Sequence, residues 1–480
     1  MATELNWDKG KQMTLSAPSI ESSEHGLPAV RTERRLSFRD FLLRYPVFLL
    51  AFGPPIFRPH STYAGFDTSQ AHFDIWSIFQ VGWLFAISAR AIIRLGFAQQ
   101  VVIPRQIRSV LKYFFFLGLL FTMSVAYSPG RAVSAEFSFI YFLSFICIVE
   151  FLVDAHQNPP DWLQCIFRLR LIMTVLLALV LIFLIIKPDL VMSYVEGAGI
   201  RLLGGGIASM GILGPVIAIV SGYSFLYSLE PRGRSAFFLL VGMAATFATQ
   251  ARGAEIALLL VLALLVFQWT TKNRRSLHLL LAACMAFILL AGAFAATIGA
   301  DQIWKKFNRG LDTESFLTAS GRTIYWRDVI VYSVSHPQGM GYIAGIRRQH
   351  FGIYAGVLQA DLNGVGGTDN SYMQALSDAG WLSLGVYLIL LGKTLSFGWR
   401  FARKKARDID ADERRVWHAL RCAILMFLYC LVAQMDGSNF VTPLHQEYYT
   451  QNILIMLILG ASSEMLFRER FRISLQSSRF

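Results

Sequence analysis

The sequence predicts an all-α fold: a polytopic integral membrane protein of about twelve transmembrane helices with one large outer loop. Three observations carry this. Mean hydropathy over the 480 residues is +0.48. Hydrophobic residues make up 55% of the chain and charged ones only 16%, where soluble domains carry about a quarter. Apolar runs of about eighteen residues or more recur, each long enough to cross a hydrocarbon core of about 30 Å. They form solid blocks rather than alternating strands, which excludes a transmembrane β-barrel.

Residues 1–40 are rich in Ser, Glu and Arg and predict a flexible cytoplasmic tail; they lack the early apolar core of a cleavable signal peptide. A membrane domain is expected over 41–470. Its first spans fall at Phe41–Phe57, Phe73–Ala89, Val110–Tyr127, Val133–Val153, Ile166–Ile186 and Gly204–Tyr227. The rest fall at Ala236–Ala248, Ile256–Trp269, Leu277–Ile298, Ser371–Gly392, Trp417–Ala433 and Asn452–Phe467, with a second cytoplasmic tail over 471–480. No internal repeat of the kind common in transporters is visible.

The net charge of +13 does not point to nucleic acid, because the basic residues sit in short loops between apolar blocks. Arg90 to Arg108, Arg232 and Arg234, Lys272 to Arg275, Arg400 to Arg415 and Arg468 to Arg472 fall on one side. By the positive-inside rule both termini are cytoplasmic. Lys187 to Leu203, the turn at Arg252, the long segment 299–370 and Asp436 to Tyr449 then lie outside. The five cysteines show no CxxC or His/Cys spacing, so neither a disulfide framework nor a zinc site is expected. No HExxH, GxSxG or Walker pattern occurs, so no metal, nucleotide or other cofactor is expected.

Charges at membrane depth are expensive and need a partner, a wet cavity or a task. Arg252, in "FATQARGAEIALLLV", sits in a tight outer turn. It either pairs with Glu255, one helical turn away, or forms an anion site, since a five-donor guanidinium at a helix N-terminus suits phosphate. Arg201, in "VEGAGIRLLGGGIASMG", precedes another outer helix start and three glycines. It either snorkels to the interface or joins Arg252 in clamping a diphosphate. In the long loop, Arg322, Trp326 and Arg327 fall at helical spacing after a Ser320 cap, predicting an amphipathic surface helix. His336, in "SHPQGMGY", marks a turn, and His350 follows Arg347 and Arg348. Asp369 and Asn370 stand together where the chain enters a span; either one caps a helix well, and a carboxylate there can also act as a base.

Four stretches in this order, "TQARGAEIALLL", "SGRTIYWRDVI", "HPQGMGY" and "TDNSYMQALSDAGWLSLG", resemble the core of the O-antigen ligase/polymerase superfamily of bacterial membrane glycosyltransferases. The motifs span Phe247 to Gly385, and the hydropathy match extends over most of the chain. The resemblance implies transfer of a glycan from undecaprenyl diphosphate at the outer face of the inner membrane, without metal or nucleotide sugar. It implies that Arg252 contacts the diphosphate and that Arg201 is the second arginine. The family's ligases carry a His–Asn pair before the helix that follows the long loop, and the histidine is held to activate the acceptor. This chain departs there, with Asp369 in place of the histidine. Asp369 is therefore expected as the base, with His336 and His350 as alternatives. Arg322, Trp326, Arg327, Arg347, Arg348, His350, Asn370 and Tyr372 are expected to bind substrate.

The expected activity is that of an exopolysaccharide or O-antigen polymerase, moving a growing chain onto the next lipid-linked repeat unit. A ligase acting on a lipid A core is the alternative. A flippase is disfavoured, because spans such as "ALLLVLALLVF" are nearly free of charge. The expected partners are lipid-linked donor and acceptor, the bilayer, and other polysaccharide-assembly proteins, but not nucleic acid.

Overall fold

In the computed structural model the described residues are 36–52, 75–97, 103–195, 199–202, 208–249, 251–270, 322–343, 370–404, 409–436, 440–441, 443 and 445–477. The chain begins with α1 (Phe38–Arg44), capped by the Ser37 hydroxyl, which accepts the Asp40 N–H at 3.1 Å. A 3-10 segment, Pro46–Phe52, follows. The expected span Phe41–Phe57 therefore does not start as one continuous α-helix. Pro46 has no N–H to donate and disfavours helical backbone at Tyr45, so the helix stops there. The freed segment packs its buried Val47, Phe48, Leu50 and Ala51 inside the bundle instead of facing lipid.

The longer elements are α2 (Ile75–Phe97), α3 (Arg105–Ser124), α4 (Arg131–Gln157), α5 (Trp162–Ile186), α6 (Met210–Tyr227), α7 (Arg232–Ala248) and α8 (Arg252–Thr270). After them come α9 (Arg322–Ser335), α10 (Ser371–Ala402), α11 (Ala411–Ala433) and α12 (Gln446–Ser477). A short antiparallel hairpin, β1 (Met192–Val195) with β2 (Gly199–Leu202), joins α5 to α6 and sets Arg201 opposite Ser193. Eight of these helices, α3, α4, α5, α6, α8, α10, α11 and α12, are long and apolar enough to cross a bilayer. The protein is an all-α, multi-pass membrane protein. The twelve expected spans are not all matched among the described residues: Leu277–Ile298 lies outside them, and α7 is 17 residues long.

Packing follows from residue size. α6 and α7 run antiparallel and touch backbone to backbone, because a Cβ on Gly242 would lie 2.6 Å from the Ala218 nitrogen. Small residues at a crossing let membrane helices meet this closely. α12 forms the centre, buried along most of its length against α4, α10, α11 and the Pro46–Phe52 segment. Cys147, Cys165, Cys422 and Cys430 are buried free thiols within the bundle.

Because neighbouring helices alternate in direction, their termini collect at two ends. At one end ion pairs join the helices. Arg170 makes a two-pronged bond to Glu230, at 2.6 and 2.8 Å, with both side chains largely buried. Arg94 bridges Glu150 and Asp154, Arg415 meets Asp161, and Arg472 holds both Asp410 and Glu413. The opposite end holds Arg252, His336, Asn370 and Tyr372, described residues among those singled out from the sequence.

Candidate functional site

Asn370 is the cap of α10. Its Oδ1 accepts the N–H groups of Tyr372 and Met373, at 2.9 and 3.1 Å, and its Nδ2 donates to the Met435 carbonyl at 3.2 Å. The side chain is 5% exposed, so these bonds occupy a buried amide. Of the two adjacent cap candidates, Asn370 is the one that caps. Asp369 lies outside the described residues, as do Arg347, Arg348 and His350. The Tyr372 hydroxyl donates to the Leu431 carbonyl at 2.8 Å and so ties α10 to α11.

Arg252 opens α8 and is half-buried, with Glu255 in the same first turn. The turn is as tight as its sequence suggests: Thr249 Oγ1 accepts the Ala251 N–H at 3.0 Å, and the Ala251 carbonyl accepts from Glu255. A 3-10 turn, Gln434–Asp436, touches both α8 and α10, so the helix carrying Arg252 and the helix capped by Asn370 meet at one short segment. Arg201 is placed by its backbone alone, in the hairpin just before α6. The loop end of α6 is fixed nearby, where the Ser209 N–H donates to Gln446 at 2.9 Å and the Ser209 hydroxyl donates to Glu447.

Arg322 and Trp326 fall within α9, with Trp326 half-buried and Arg327 exposed. A helix is present where one was expected, its Ser320 cap lying outside the described residues, and its Val329 packs with Met340 of the following segment and Leu376 of α10. His336 ends α9. Its ring stacks on Tyr332 with centroids 4.0 Å apart, and its Nδ1 lies 3.0 Å from the Ser335 hydroxyl. The expected turn follows at once, closed by the Gly339 N–H on the His336 carbonyl.

A feature the sequence reading did not single out lies beneath this turn. α10 breaks at Ala379 and Gly380, the latter at φ +79°. The segment after His336 fills the gap: Met340 and Gly341 donate their N–H groups to the carbonyls of Ser377 and Asp378, and Trp381 donates to the Pro337 carbonyl. Non-helical backbone at membrane depth is tolerated only where protein re-satisfies its polar groups. Gly380 is obligatory, since a Cβ there would lie 1.9 Å from the Pro337 oxygen. Asp378, fully buried about 10 Å along the helix from its cap, accepts from Gln374 Nε2 at 2.7 Å. The available signal was "SDAGW", a carboxylate and a glycine inside an apolar span.

The same segment is tied down on its far side. Tyr342 stacks on Phe121 with centroids 3.9 Å apart, takes the Ser124 hydroxyl with its N–H, and donates its phenol to the Val441 carbonyl at 2.9 Å. Burial holds that phenol well above its ordinary pKa. Ser134 donates to the Tyr342 carbonyl at 2.7 Å. One end of the bundle therefore presents a half-buried arginine at a helix start and a buried amide cap. Beside them the 337–343 segment of the long loop is locked onto α3, α4 and α10. Among the described residues no cluster of His, Cys, Asp and Glu is placed to hold a metal.

The fold and this end of the molecule define a multi-pass helical membrane protein with a polar, arginine-bearing site at the helix termini. Residues 236–388 match the family model described as O-antigen ligase, a stretch running from α7 through α8 and α9 into α10. It contains Arg252, Asn370 and the α10 break, and it supports the resemblance to the O-antigen ligase/polymerase superfamily and hence an enzyme. No curated protein gives a significant match to the chain.

Proposed function

We propose that the protein is a polysaccharide polymerase of the bacterial inner membrane, with both termini cytoplasmic and the Arg252 end facing outward. It transfers a growing glycan from undecaprenyl diphosphate to the next lipid-linked repeat unit. One observation carries this reading: α8, which Arg252 opens, and α10, capped by Asn370, converge on the Gln434–Asp436 turn. Since Asn370 makes the capping bonds, the neighbouring carboxylate is not needed for them.

In this reading an acceptor hydroxyl attacks the anomeric carbon of the donor sugar. The new C–O bond forms as the bond to the diphosphate breaks, the hydroxyl proton passes to Asp369, and undecaprenyl diphosphate leaves as the anion. Arg252 and Arg201 stabilise the charge that grows on the leaving oxygen, an interaction stronger in the transition state than before it. Arg322, Trp326, Arg327, Arg347, Arg348 and His350 supply contacts along the glycan. A ligase that delivers finished glycan to a lipid A core or another acceptor is the second reading, and the family match at residues 236–388 fits both. The presence of Asp369 where the ligases carry histidine favours the polymerase.

Reconstitution in liposomes with lipid-linked repeat units alone separates the two. A ladder of longer lipid-linked glycans is expected; no elongation, followed by transfer once a lipid A core is added, would establish the ligase instead. In the same assay Asp369→Asn is expected to slow transfer by about 10²–10⁴-fold, the usual contribution of a positioned base. Full activity in that variant would remove Asp369 from the chemistry.

A further inference from the structure

At the ion-paired end, one group of cations differs from the rest. α3 starts with Arg105, Arg108 and Lys112 and has no acidic residue in its first turn. Cations at a helix N-terminus face the positive end of the helix dipole, which disfavours them. Several other arginines at this end meet carboxylates, as Arg170 meets Glu230 and Arg472 meets Glu413. Arg108 instead uses one N–H on the Ile103 carbonyl at 3.3 Å. Arg108 and Lys112 are both exposed.

The two cations border an open groove of about 570 Å³ between α3 and α4, whose floor is apolar: Phe115, Phe116, Phe145 and Val149 line it, and among the described residues no acidic side chain does. Phe115 and Phe116 keep 45% and 40% of their surface exposed. A third cation stands close by, for Lys393 of α10 donates to the Ser109 hydroxyl at 3.2 Å and lies 4.9 Å from the ring centre of Tyr113, itself on the groove wall. The combination is an open trough of aromatic and aliphatic side chains, with positive charge at its mouth. Its volume lies in the range that ligand clefts occupy.

We propose that this groove is a binding site for one anionic phospholipid, whose acyl chain lies along Phe115, Phe116 and Val149 and whose headgroup phosphate is held by Arg108 and Lys112. The phosphate supplies the negative charge that acidic side chains supply elsewhere at this end, and it favours the N-terminus of α3. Simple snorkelling of two long side chains to the interface accounts for their exposure. It does not account for an acid-free, aromatic-lined trough beneath them.

Native mass spectrometry of the purified full chain, titrated with phosphatidylglycerol and with phosphatidylcholine of the same acyl chains, tests this. Phosphatidylglycerol is expected to bind at least about tenfold tighter. The double variant R108Q/K112Q is expected to weaken it about thirtyfold, from roughly fivefold per basic residue, while leaving phosphatidylcholine unchanged. Arg232→Gln, exposed at the same end but away from the groove, is expected to change neither. Equal binding of the two lipids, or a preference that survives in the double variant, would overturn the site. So would inorganic phosphate displacing the lipid at equal concentration, because the groove would then contribute nothing.

Discussion

The two ends of this bundle use charge in opposite ways. At one end arginines are consumed by carboxylates from neighbouring helices: Arg170 by Glu230, Arg94 by Glu150 and Asp154, Arg472 by Asp410 and Glu413. At the other end, among the described residues, helices are joined largely by amides and hydroxyls, with Glu447 accepting from Ser209 as a charged exception. Tyr387 donates to the Gln434 carbonyl oxygen, whose amide donates to Gln451 at 2.7 Å, and Gln451 donates back to the Tyr387 hydroxyl at 3.1 Å. Asn370, Gln446 and Tyr342 bind backbone groups in the same manner. At the ion-paired end Arg170, Arg94 and Arg472 are committed to holding helices together, a task that amides and hydroxyls share at the end where Arg252 opens α8.

The sharpest way to break that contrast is to remove one arginine from each end. Arg252→Ala is expected to lower glycan transfer by about 10²–10³-fold, the range for losing one donor to developing charge, with the melting temperature unchanged. Arg170→Ala is expected to do the reverse, since it leaves Glu230 buried without its partner. The expected loss is about 3–5 kcal/mol of stability, with transfer per folded molecule retained. If both variants failed in the same assay, the division of labour between the ends would be wrong.

The α10 break sharpens the comparison on a smaller scale. Gly380→Ala is expected to destabilise by about 1–3 kcal/mol or more, from the positive φ and the contact with Pro337. Gly385→Ala, five residues on, meets nothing within 4 Å and is expected to stay within about 0.5 kcal/mol of the parent. Thermal melting in one detergent compares them. Asn370→Asp keeps the capping oxygen but turns the donor that faces the Met435 carbonyl into a second acceptor, so it is expected to destabilise as well. Asn370→Ala should cost about 0.5–2 kcal/mol, the range for a lost cap.

How far the sequence was legible differs from element to element. α3, α4, α5, α6, α8, α10, α11 and α12 lie where unbroken apolar runs put them, because hydropathy reports the bilayer requirement directly. The helix at Arg322 was visible from its spacing, and the turn at Pro337 from its composition. The first expected span was not: Phe41–Phe57 is apolar enough for lipid but folds, as far as it is described, into the protein interior, and hydropathy does not distinguish the two. Asp378 and Gly380 mark a candidate break in "SDAGW", but the segment after His336 that fills it is set only by packing. The cap at 369–370 had two chemically suitable residues, and only the backbone path selects Asn370.

By itself the sequence determined that the chain is a helical membrane protein, which residues carry charge near helix ends, and which motifs resemble those of the O-antigen ligase/polymerase superfamily. Those properties are local, written in composition and in spacing along one segment. The tertiary structure decided which arginines are consumed by carboxylates, which amide caps α10, and how the segment after His336 repairs the break at Gly380. Each of these depends on a hydrogen bond between groups far apart in the chain. Such a bond forms only after the helices have packed, so neither partner's own neighbourhood announces it.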